Sequence, residues 1–485
     1  MATTLNLATP GVYIQEIPVI PSSIVSVPTA VPVFVGYTAI AAEGVKSLHL
    51  VPWQIDSLLE YTQYFGAALD EPGISVTIDA TKMPPVAVPV IDETARSKYL
   101  MYYAVQNYFA NGGGTCYILS VNPYNTANPV INVADFIDAS GFFRTELEKY
   151  NDITLVVCPD ALGMPSAANY YSLQSAVVAH CVKMQNRMAV MDVYRTAGNT
   201  WQQDVAILRN QDKSTPPVAG LVVQELEDYK FAAVYFPRIK TTNNFQVNDS
   251  LVKVTLTQAS GTSTTTLDKI KATNSQAYYS AENAISNNLE MLMPAAPAMV
   301  GIYAAVDNSN GVWKAPANVA VLETVDLEEQ VSSFEQGQYL NIDPVAGLSV
   351  NAIRSFPGRG PAIVWGARTL AGNDNEWRYI PVRRFFFMAE QSIKNAIEPF
   401  VFEPNDNNTW TRVTAMIVNY LTELWKAGAL MGSTTKDAFF VQVGLGTTMT
   451  AQDVLEGRMI VQVGMAVVRP AEFIILQFLQ MMPAS

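Results

Sequence analysis

The side chains able to do chemistry are few and poorly spaced. The two histidines, His49 and His180, lie more than a hundred residues apart, and the three cysteines, Cys116, Cys158 and Cys181, stand singly. No Cys or His falls at metal-ligand spacing, so a zinc site is not expected. There is no Gly-x-x-x-x-Gly-Lys-Ser/Thr run. Gly112-Gly113-Gly114 follows an apolar helical pattern and passes into a strand, the arrangement of a helix end and turn, so its amides cannot cradle phosphate. Gly261-Thr262-Ser263 repeats the nucleophile tripeptide of some serine proteases, with His180 before it. His180 sits in an apolar helical pattern with Cys181 and Val182, however, and Ser263 lies among threonines with no helix expected after it to place an oxyanion hole. Asp326, Glu328 and Glu329 read as one exposed helical face, whereas acid–base work needs one carboxyl buried and perturbed. The parts of an enzyme are missing, and no metal or cofactor is expected.

The elements that must carry these residues follow an α/β rhythm. Five prolines in the first forty residues, Pro10, Pro18, Pro21, Pro28 and Pro32, forbid a helix and imply an extended arm leading into a buried strand at 31–36. The pattern then predicts a helix over 92–111, a strand over 115–121, another over 153–158, a helix of about twenty residues ending near Asn186, and a strand over 188–193. That alternation predicts an α/β sheet domain. Residues 251–256 alternate like an edge strand and 260–266 read as a polar turn, so about 240–290 is expected to be an outward-facing insertion. Helices are expected over 384–398 and 408–430. Short β runs follow at 438–443, 458–468 and 472–479.

Composition bounds the class. The 485 residues carry 30 Lys and Arg against 43 Asp and Glu, a net charge of −13. With no basic tract, a role on nucleic acid is excluded. Hydrophobic residues make up 49% and charged ones 15%, against about 25% charged in an ordinary soluble domain. So little charge implies surface buried between subunits, that is, a homo-oligomer. Scattered cysteines favour a reducing compartment. No basic residue precedes Lys46, so a secretory signal would lack its charged start. The longest apolar run, 291–306, is shorter than a bilayer span and contains Pro294 and Pro297. The expectation is synthesis in the cytoplasm with no direct membrane insertion.

The segment near the end carries the most information. Laid out as a strand, Phe473 and Ile475 point one way and Ile474, Leu476 and Phe478 the other, so it is apolar on both faces. On an isolated chain that is an aggregation hazard. Exchange between subunits would cover both faces, with Val12, Tyr13, Ile14 and Ile17 of the proline-punctuated arm as the partner strand. The alternative is pairing within its own chain.

Several blocks then resemble one family. Thr9 to Ile17 (TPGVYIQEI) with Ser26 to Ala30 (SVPTA) is similar to the opening of contractile tail sheath proteins. So are Tyr108 to Tyr117 (YFANGGGTCY), Gly301 to Asp307 (GIYAAVD) and Gly311 to Asn318 (GVWKAPAN). The densest match is Trp365 to Leu370 (WGARTL) with Trp377 to Arg384 (WRYIPVRR). Glu398-Pro399, Phe402 to Asp406, Trp410 and Pro470 to Ile475 (PAEFII) follow in family order. About 195–290 offers no motif.

The resemblance implies an α/β (α+β) fold with a sheath core domain built from N- and C-terminal segments, an inserted subtilisin-like but non-catalytic domain, and extended strand arms. The expected division is 1–40 arm and first core strand, 41–90 connection, 91–317 inserted domain, 318–471 C-terminal core, and 472–485 arm. It also implies a helical stack of rings, hexameric by family habit, around an inner tube protein, with baseplate and terminator or cap proteins at the ends, in a phage tail or tail-like injection particle. As one chain, the protein resembles phage and extracellular-system sheaths more than the two-chain type VI sheaths. Candidate tube-facing acids are Asp326, Glu328, Glu329, Glu335, Asp453 and Glu456. The alternatives are a catalytically inactive subtilisin-like binding module or a serine hydrolase.

Overall fold

Pro32–Thr38 is an unbroken run of buried residues, the pattern of a strand with neighbours on both sides. In the computed structural model, which describes residues 24–125, 129–138, 141–142, 144–259, 261–341 and 343–476, it lies inside an eight-stranded sheet. The strand order is Gly360–Val364, Asn351–Phe356, Ala232–Phe236, Met188–Asp192, Leu155–Val157, Pro32–Thr38, Cys116–Pro123 and Trp53–Ile55. The inner strands pair parallel, and the outermost on each side pairs antiparallel. Helices Met101–Ala110, Ala167–Met184, Trp201–Leu208 and Ala296–Asn310 alternate with the strands in sequence. The mixed α/β class expected from the rhythm is the fold observed.

The chain divides into two compact units. Of the described residues, the larger comprises Pro28–Met388 and those from Arg469 onward, and the sheet and its apolar core belong to it. The smaller comprises Ala389–Val468 with the described residues before Pro28. Within it, Ser26 Oγ lies 3.0 Å from the Tyr420 hydroxyl and the Val27 amide donates to Ser392 Oγ at 3.0 Å. Its helix Asn407–Lys426 buries Val413, Met416, Ile417, Tyr420, Leu421 and Leu424, one stripe at helical spacing, and Asp406 caps its start by accepting from the Thr409 amide. The expected boundaries at 40/41 and 317/318 both fall inside the larger unit. The physical reason is that Pro32–Thr38 pairs in mid-sheet and Asn351–Phe356 extends the same sheet.

Four local expectations are corrected. Lys253–Gln258 is an inner strand, paired with Ile74–Asp79 on one side and Gly261–Thr266 on the other. The threonine run is therefore a strand and no turn, because β-branched residues suit a pleat even without apolar alternation. A helix, Leu267–Thr273, does follow it. The helix expected from residue 92 begins at Met101; Asp92 instead holds a turn by accepting from the Thr94 amide.

Candidate functional site

The catalytic candidates do not assemble. His180 is buried on helix Ala167–Met184, its Nε2 3.2 Å from Arg187 Nη1. Burial and the Arg187 charge push it down to about 4, so it is neutral near pH 7. Ser263 faces Leu256 in mid-ladder on another sheet, not on the sharp strand-to-helix turn a serine nucleophile occupies. Burial raises all three cysteine thiols, Cys181 to about 12. Among the described residues no cluster of His, Cys, Asp or Glu could hold a metal ion, and no helix is long and apolar enough to cross a membrane.

The acids expected on one bare helical face are placed otherwise. Asp326 lies in the strand Thr324–Leu327 and pairs with Lys240 at 3.4 Å. Glu328 is drawn inward: Arg238 Nη2 is 2.6 Å and Arg195 Nε 3.4 Å from its Oε1. Burial alone would raise its carboxyl, but the Arg238 hydrogen bonds and the two guanidinium charges hold it below the usual range. Glu329 takes Arg195 Nη2 at 3.0 Å. Asp326 belongs to the strand and Lys240, whereas Arg195 holds Glu328 and Glu329 on one guanidinium. Glu335 closes a capping box with Ser332. Asp453 closes another with Thr450 and takes Arg458 at 2.6 Å, which lowers it to about 2, and Glu456 pairs with the same arginine.

Phe473, Ile474, Ile475 and Leu476 are 69%, 80%, 81% and 73% exposed and belong to no described strand. Val12, Tyr13, Ile14, Ile17 and Phe478 lie outside the described residues. In the smaller unit, Phe439–Gln442 and Gln462–Met465 form a two-stranded antiparallel ladder. Phe440 lies across Gly464, where any Cβ would stand 2.1 Å from its ring, and Phe440 is itself 47% exposed. Among the described residues no further strand pairs with either of the two.

Sequence reasoning missed the buried charges that brace the larger unit. Asp160 accepts backbone N–H groups from Tyr37, Leu100 and Met101 at 2.7, 2.5 and 3.0 Å, holding the start of helix Met101–Ala110 beside the strand end. Asp192 accepts from Ala295 at 2.7 Å and Ala296 at 3.2 Å at the start of helix Ala296–Asn310. Burial pushes each carboxyl up to about 7 against the pull of those donors. Arg384 grips Asp307 with both terminal nitrogens and the Thr29 carbonyl, within its own unit. The signal was an acid at or just past the end of an apolar strand, Val157-Cys158-Pro159-Asp160 and Val190-Met191-Asp192.

Comparisons with known proteins agree with one another. Residues 372–480 match the family described as phage tail sheath C-terminal domain. The fold is similar to that of a chain in the PVC sheath complex of an extracellular contractile injection system in its contracted state, at 31% identity over 99% of both chains with a TM-score of 0.62. It is also similar to a chain of the anti-feeding prophage baseplate, 6-fold symmetrised, at 30% identity over 98% of this chain and 99% of that one, TM-score 0.62. The anti-feeding prophage helical sheath in its contracted state matches at 29% identity over the same shares, TM-score 0.62. No curated protein matches.

Proposed function

The chain belongs to the contractile tail sheath family, and on that premise we propose that its copies, joined by exchanged strands, jacket an inner tube and drive it through a target membrane. It is a structural subunit of a contractile sheath. The proposed assembly is a helical stack of rings, hexameric by family resemblance, closed by baseplate and terminator proteins, in a phage tail or tail-like particle. Proteolysis has no part in it.

The observation that carries the exchange is the run of four apolar side chains left exposed from Phe473 to Leu476. A chain with only this fold to satisfy has no use for such a run; a neighbour's sheet edge does. The ladder Phe439–Gln442/Gln462–Met465 is the proposed acceptor, with residues 12–17 of a third copy beside it.

The energy is stored in the lattice. Assembly on tube and baseplate traps subunits in an extended arrangement, and release lets each ring turn and gain contact. A few kcal/mol per subunit over hundreds of subunits amounts to on the order of a thousand kcal/mol. Grip on the tube must be weak to be released. Asp326, Glu329, Glu335 and Glu456, the acids left partly exposed, fit a basic tube surface through screened ion pairs contributing little singly. Glu328, neutralised by two arginines, is withdrawn from that set, and so is Asp453, whose cap is reinforced by the Arg458 ion pair.

Negative-stain microscopy of the expressed protein tests the proposal. Full-length chain should give cylinders or striated tubes, and removal of residues 1–17 or 472–485 should leave folded, unpolymerised subunits. Polymers indifferent to both deletions would remove the exchange.

A further inference from the structure

We propose that Arg368 is the positioning residue of the exchanged strand: its guanidinium holds Glu472 and so fixes where, and facing which way, the apolar segment leaves the larger unit. Arg368 is 3% exposed. Its Nε lies 3.0 and 3.1 Å from the two Glu472 carboxylate oxygens and its Nη2 2.5 Å from Oε2, across 104 residues of sequence. The Tyr379 hydroxyl donates to the same oxygen at 3.4 Å.

The arginine is itself held rigidly. Its backbone amide donates to Asn351 Oδ1 and its carbonyl accepts from Asn351 Nδ2, both at 2.7 Å, while its Nη1 donates to the Gly372 carbonyl at 2.9 Å. Just before the clamp, Arg469 Nη1 donates to the Asn375 carbonyl at 2.9 Å. Immediately after it, exposure jumps to 69% at Phe473. Ala471 before it is exposed as well, so the Glu472 side chain is the anchor point in this stretch of the surface.

Two consequences follow for a strand whose side chains alternate. Fixing residue 472 fixes which face Phe473 and Ile475 present and which face Ile474 and Leu476 present, so the clamp sets the register in the neighbour's sheet. Bending during contraction is confined to residues after Glu472, since a buried bidentate pair does not yield gradually. This rests on the strand-exchange reading.

The test compares three full-chain variants with wild type: Arg368→Met combined with Glu472→Leu, Glu472→Gln, and deletion of residues 473–485. The double substitution removes the clamp without leaving a buried charge unpaired. Melting of unassembled protein is read beside polymer yield and length by electron microscopy. The double variant should melt within a few degrees of wild type yet lose about tenfold or more in polymer yield (on the order of a 1.4 kcal/mol change per contact), with Glu472→Gln intermediate. Normal polymers from the double variant, alongside none from the deletion, overturn the clamp and spare the exchange; normal polymers from the deletion overturn both. Should the double variant misfold, Glu472→Gln decides: it leaves the Arg368 charge without its counter-ion and should melt lower, so yields are compared well below that melting, where reduced yield supports the clamp and wild-type yield overturns it.

Discussion

Replacing Ile474 and Leu476 together by serine puts a number on strand exchange, because alternate residues of an extended segment share one face. Ile474 is 80% and Leu476 73% exposed, so the area they bury on assembly is almost all new. Full burial of an aliphatic side chain of this size contributes about 1.5–3 kcal/mol. The pair therefore contributes about 4 kcal/mol to each exchanged contact, on the order of a thousandfold in association. Exposed substitutions change the fold of one chain by only about 0.5 kcal/mol. The assay is the critical concentration for polymer formation, by sedimentation with microscopy, read beside the melting temperature of unassembled protein. The expected result is unchanged melting and a critical concentration raised on the order of a thousandfold. Wild-type polymers at wild-type concentration from this variant would refute the reasoning, since no other role asks these two side chains to be apolar.

The remaining predictions concern the body that carries the arm. Asp160→Ala strands three buried amides and should destabilise the larger unit by about 3–5 kcal/mol in denaturant melts; a change under about 1 kcal/mol would mean water replaces the carboxylate. Because burial pushes Asp160 and Asp192 from 3.8 to about 7, folding takes up protons between those values, so their contribution to stability is present at low pH and lost as pH rises through 7. Each should supply about 2 kcal/mol more at pH 5.5 than at pH 8, and the difference in pH dependence between wild type and Asp160→Asn should show that sign; the opposite slope contradicts it. Gly301→Ala would place a Cβ 2.5 Å from the Tyr108 carbonyl oxygen and should cost about 1–3 kcal/mol by forcing two packed helices apart. Ser263→Ala should leave melting and polymer formation unchanged, and a fluorophosphonate probe should label neither form.

What the sequence disclosed followed from how local each signal is. Strands such as Pro32–Thr38 and Leu155–Val157 were legible because burial on both faces leaves an unbroken apolar run. Gly261–Thr266 was not, because its stability comes from pairing with Lys253–Gln258, a property of the partner more than of the threonines. The helix start at Met101 was misread because Asp160, far along the chain, supplies the acceptor for the Leu100 and Met101 amides. The acidic candidates were chosen by spacing, yet Arg195 and Arg238, some ninety residues and more away, decide which of them face solvent. The apolar segment at 473–476 was visible outright, while its anchor, Arg368, was visible only as part of a motif whose purpose a sequence cannot state. Local pattern gave the elements, and long-range charge placed them.

The most direct measurement is a helical reconstruction of the assembled protein at side-chain detail. Residues 473–478 of one copy should run as a strand against Phe439–Gln442 or Gln462–Met465 of a neighbour, with Glu472 still on Arg368 of its own chain. A reconstruction in which those residues turn back onto their own chain, with no neighbour crossing, would contradict strand exchange.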